Sequence, residues 1–181
     1  MGLDMYLSKK TYVKQWSHNK PEDQFEVEVK KGGEPFSPIK RERVSSIVEE
    51  VGYWRKFNAL HNWFVEKTQD GEDRCQESYV GHEQMEELLS TLKQVKEFLD
   101  TSPKKKTQVK VGYSNGKEVF EEIEVVENTE FLDELFPTSS GFFFGGTEYD
   151  EYYKEEVERT IELIEGLLQE EGGDFYYQAS W

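Results

Sequence analysis

Two runs with the period of a β-strand stand far apart in the chain and constrain its fold more than anything between them. "DFYYQASW" sends Phe175, Tyr177, Ala179 and Trp181 to one face. "GLDMYL" sends Leu3, Met5 and Leu7 to one face, against Asp4 and Tyr6. The last residues are therefore expected as a strand that enters the sheet, not as a tail.

Between these runs the pattern changes repeatedly. "FEVEV" places Phe25, Val27 and Val29 on one face and predicts a second strand, with polar loops on either side. A helix is expected from about Tyr53 to Lys67, with Gly52 marking its start, and "ESYV" is short enough for a strand. "HEQMEELLSTLKQVKEFL" is the clearest helix, because Met85, Leu88, Leu89, Leu92, Val95 and Leu99 follow the i, i+3, i+4, i+7 rule. Asn115-Gly116 suits a two-residue turn, so 104–127 reads as a β-hairpin. A short helix around "TEFLDELF" and a long one from Glu148 to about Glu171 follow, the latter ended by Gly172-Gly173. Strands separated by helices without a βαβ rhythm predict an α+β fold with a mainly antiparallel sheet, three principal helices and one hairpin. At 181 residues, the whole of 1–181 is expected to form one domain.

Charge narrows the classes of partner. The net charge is −16; residues 1–120 are balanced, while 121–181 hold 18 acidic residues against Lys154 and Arg159 alone. Direct nucleic-acid binding or attachment to an anionic membrane through that third is excluded by repulsion. A protein partner with a basic surface suits it, and a solvated helix face is the plainer explanation. No apolar run is long enough for a signal peptide or membrane span, and Cys75 is the single cysteine. A cytoplasmic, reducing location is expected.

The stretch "PTSSGFFFGGTEYDEYY" looks like a ligand loop. Gly141 and Gly146 match the spacing of a phosphate-binding loop, but Thr147 replaces its lysine, and Glu148, Asp150 and Glu151 would repel a phosphate. Thr147 with Asp150 resembles a capping box. Phe142, Phe143 and Phe144 read as a short buried strand, with Phe143 turned to the opposite face, where it could line a pocket.

The expected helix over 53–67 carries the main site argument. At about 100° per residue, Trp54, Phe57, Leu60, His61, Phe64 and Val65 share one side, with Asn58 at its edge. Asn58 and His61 either are core groups with internal partners or read a ligand in an aromatic pocket. In the latter case Arg55 or Lys56 stands at its mouth. Cys75 lacks a local base, since His61 is 14 residues away and the loop between is acidic. With His18, His61 and His82 as the only histidines, metal-ligand spacing is missing, and Arg74 breaks a calcium-loop pattern. No metal and no cofactor are expected. On the long acidic helix, Glu151, Glu155, Glu158, Glu162 and Glu165 form one row opposite an apolar stripe, a candidate partner surface.

"MGLDMYL", "VGYWRKFNALHNWFVEKTQDGEDRC", "PTSSGFFFGGTEYDEYY" and "FYYQASW" together resemble a family of small uncharacterised proteins of bacteriophages and prophage-bearing genomes. The match runs in order along the chain, except that Gly81-His82 stands where a serine cap is usual and 104–127 matches no family pattern. The resemblance brings no reaction, cofactor or catalytic residue. It implies an accessory protein that deals with the host cell or its defences. The leading expectation is a binding protein that inhibits or sequesters a host component through the acidic helix, without chemistry of its own. The alternative is a small enzyme or nucleotide-type ligand binder around Asn58 and His61.

Overall fold

Alternation decides the first strand: β1, Asp4–Tyr12, buries Met5, Leu7 and Lys9 and turns Tyr6 and Ser8 the other way. The computed structural model describes residues 2–14, 16, 19–114 and 116–181, with only the backbone of Asp23, Val111 and Tyr113. A small ribbon follows, β2 (Lys30–Lys31) with β3 (Glu34–Pro35), and then the strand β4, Ser46–Arg55. Helix α1 spans Asn58–Thr68, β5 spans Ser78–Val80, and α2 spans His82–Thr101. The hairpin β6 (Lys104–Ser114) and β7 (Lys117–Val126) leads to α3 (Glu130–Leu135), α4 (Glu151–Leu167) and β8 (Asp174–Ser180).

The main sheet is antiparallel throughout, in the order β4-β1-β8-β5. Asp4 pairs with Ser180 and Leu7 with Tyr177, so the two terminal runs form its central ladder. Leu3, Met5, Leu7, Trp54, Val80, Tyr177 and Ala179 meet the apolar stripes of α1, α2 and α4 in one core. The other face carries Tyr6 against Tyr53 and Tyr79 against Tyr176, with ring centroids 5.4 and 5.8 Å apart. The chain is thus a single α+β domain with helices on one side of an antiparallel sheet.

Four expectations need correction. Residues 53–55 are strand, not helix. Gly52 lies inside β4, at a position where a side chain would stand 2.6 Å from the Trp54 ring and 2.9 Å from Leu163. Val51 forms a bulge opposite the Leu7–Ser8 step. The helical spacing of Trp54 with Phe57 and Asn58 crosses a chain reversal at Lys56, whose φ of 61° lies in the left-handed region.

"FEVEV" is not a strand: residues 25–29 take part in no strand pairing among the described residues, and Phe25 is exposed. Phe142–Phe144 form a turn, not a buried strand: Phe142 is 96% exposed and only Phe144 packs on the core. The long helix starts at Glu151, with Asp150 as its cap accepting from the Tyr153 amide at 3.0 Å. Thr147 therefore lies outside the helix, and the box expected there does not form. The expected hairpin is present, with Ser114 opposite Lys117 and Gly116 at φ 74°. Asn115 and His18 lie outside the described residues.

Candidate functional site

Asn58 opens α1 as its first residue and is 2% exposed. Its Nδ2 donates to the carbonyls of Phe144 (3.1 Å) and Gly146 (2.7 Å), and its Oδ1 accepts from the Ser139 amide at 3.0 Å. One side chain thereby fastens the 139–146 loop to the first turn of α1. All three bonds go to backbone, so Asn58 holds the wall of a site rather than reading a ligand.

One turn on, His61 is also 2% exposed and is held from both sides. Its Nε2 lies 2.9 Å from Asp73 Oδ2 and its Nδ1 lies 2.7 Å from the Tyr177 hydroxyl. A carboxylate only accepts, so Nε2 carries the proton and Nδ1 accepts from the tyrosine O–H. Asp73 also receives the Trp181 indole N–H at 2.7 Å and the Cys75 amide at 3.2 Å. The Phe144 ring meets His61 edge-on at 5.2 Å and Trp181 at 6.0 Å. Burial lowers the His61 pKa, although Asp73 pulls the other way, and burial raises the Tyr177 pKa well above its ordinary value. The arrangement is a saturated buried relay joining α1, the 69–77 loop and β8. Both ring nitrogens of His61 and both oxygens of Asp73 have partners within the protein.

The remaining predicted ligand residues are spread out. Trp54 is fully buried beneath α4, its indole donating to Thr160 Oγ1 at 2.8 Å. Phe143 accepts from the Leu3 amide at 3.0 Å through its carbonyl and leans its ring on Phe142. Arg55 and Lys56 do stand at a cavity of about 530 Å³, together with Asn58, Gly145, Glu148 and Asp150. Its floor is Phe57 and Tyr153, and the Tyr152 hydroxyl closes one end by donating to the Arg55 carbonyl at 2.5 Å. His61, Trp54 and Phe143 do not line it.

Sequence reasoning passed over Asp73 as one acid in a charged loop, and over Tyr177 and Trp181 as sheet residues. Only a three-dimensional contact joins them to His61. The one available signal was that a buried histidine needs two partners.

The acidic row of α4 is partly neutralised from within. Glu151 pairs with Lys104 at 3.1 Å, Glu158 with Lys96 at 3.1 Å and Glu165 with Lys93 at 2.5 Å. Lys96 and Lys154 also hold Asp100, whose carboxyl is pushed down to about 2 by those two ammonium groups. Glu155 and Glu162 remain exposed with no ion pair among the described residues. The described residues hold no group of three or more metal-ligating side chains. Among the described residues no helix is long and apolar enough to cross a membrane. No family model matches the sequence, and comparison with curated proteins and with solved structures finds no match.

Proposed function

We propose that this chain is a binding protein of bacteriophage type that inhibits or sequesters a host component in the bacterial cytoplasm. It works by occupying a basic surface of a host protein, a defence or nucleic-acid-handling factor, and not by chemistry. The observation that carries this reading is the row on α4. Lysines of α2 and β6 fix Glu151, Glu158 and Glu165, while Glu155 and Glu162 point outward unpaired about 10 Å apart along the axis. The saturation of Asn58 and His61 supports it further, since the strongest sequence candidates for chemistry have no free atom.

The test is capture from host lysate by tagged protein, at low and high salt, beside the Glu155→Lys, Glu162→Lys double variant. A near-stoichiometric partner that the wild type releases in high salt and the variant does not capture is expected. Equal capture by the variant removes α4 as the binding surface.

One observation favours a second reading, a small-ligand binding protein: the cavity beside Arg55, Lys56 and Asn58.

A further inference from the structure

We propose that this cavity takes a zwitterion of about dipeptide size, with an ammonium at one end and a carboxylate at the other. The inference rests on the small-ligand reading and names its class. Arg55 and Lys56, at the β4–α1 junction, bring positive charge to the lining, and Glu148 and Asp150, before α4, bring negative charge. Yet no ion pair joins the two sets among the described residues. The nearest acid to the Arg55 guanidinium is Asp4 at 3.7 Å, which does not line the cavity, and no carboxylate pairs with Lys56. Glu148 Oε2 accepts from the Thr147 amide at 3.0 Å, and Asp150 Oδ1 accepts from the Tyr153 amide at 3.0 Å. Each carboxylate is thus oriented by one oxygen and keeps the other.

Opposite charges thus line one cavity with no ion pair between them among the described residues. A phosphate or nucleotide would meet Glu148 and Asp150, and a simple cation would meet Arg55 and Lys56. A ligand with both charges gives each set a charge-assisted partner. The space of about 530 Å³ is in the range of small-molecule sites. Two residues of peptide span about 7 Å, and Phe57 and Tyr153 provide an apolar floor for their side chains.

The lysine is also placed deliberately by the backbone. Lys56 sits at φ 61°, a region that disfavours a side chain, while its amide donates to Leu3 at 2.8 Å. Gly145 (φ 92°) lies against the lysine stem, and a side chain there would stand 3.0 Å from Lys56 Cβ. A strained residue that a neighbour over-determines is a feature of ligand clamps.

Amide chemical shifts of the isotope-labelled full chain would be followed during titration with alanyl-alanine, its N-acetyl form, its C-terminal amide and ATP. Saturable shifts at Lys56, Gly145 and Gly146 are expected with the free dipeptide, weakened about tenfold or more by either cap. Lys56→Gln and Glu148→Gln, whose spectra report that the fold is kept, should each weaken it about tenfold. Equal binding of the capped peptides, or tighter binding of ATP at these residues, overturns the zwitterion and leaves a small-ligand site. If none of the four moves these amides, both the zwitterion and the small-ligand reading fall.

Discussion

Asn58 does what neither Phe57 nor Ala59 beside it can do, because an amide offers donors and an acceptor from one planar group. Replacing it with aspartate keeps the shape and reverses the chemistry, since a carboxylate would face the carbonyls of Phe144 and Gly146. Asn58→Asp is expected to cost about 2–4 kcal/mol, visible as a lower midpoint in chemical denaturation at unchanged slope.

His61 gives a pH signature instead. Its folded pKa is lowered mainly by burial, so the unfolded chain takes up the proton first as pH falls. Its contribution is complete above about 6.5, shrinks as pH falls from there toward the folded pKa, and is level below it. The stability of the wild type, minus that of His61→Leu, should therefore decline through this window. A difference that stays constant with pH would mean that the fold leaves the imidazole unshifted, and one that grows as pH falls would mean that the imidazole is charged in the fold.

At the level of elements, the start of α4 separates two side chains that the sequence makes equally plausible. Asp150→Ala should cost about 1 kcal/mol, the usual loss of an N-cap, and Thr147→Ala should stay within about 0.5 kcal/mol, both read from thermal unfolding. The reverse ranking would restore the start at Thr147.

Legibility follows a rule across the chain. α2 and β8 could be read because each keeps one period along its whole length and meets one core. β4 could not, because Trp54 at the end of a strand and Phe57 before a helix happen to be three apart, with the turn at Lys56 hidden between them. "FEVEV" has the right alternation, but nothing in a local pattern says whether a partner strand will come. The cavity is half legible: Arg55 or Lys56 is expected at a pocket mouth and both line this one with Asn58, but His61, expected beside Asn58 as a ligand reader, does not. Glu148 and Asp150, which line the cavity too, read in the sequence only as a bar to phosphate and, for Asp150, as a capping partner.

For the molecule as a whole, the hairpin β6–β7 makes few contacts beyond itself, with Val125 and Val126 as its buried root. Removing 107–122 and joining the strands by a short turn should leave the melting temperature within a few degrees, because little of the shared core is lost. A large fall in calorimetry would show that the arm supports the helices beside it.

The pairing of Asp4 with Ser180 has a kinetic side as well. The middle of the sheet can form only by closing almost the entire chain into a loop, whereas α2 and the hairpin need only near neighbours. Folding should thus be limited by one long-range encounter. A circular permutant that links the two ends with a few glycines and opens the chain at 115–116 turns that encounter into a local one. Stopped-flow measurements should find it folding faster than the natural order, to a native state with the same spectrum.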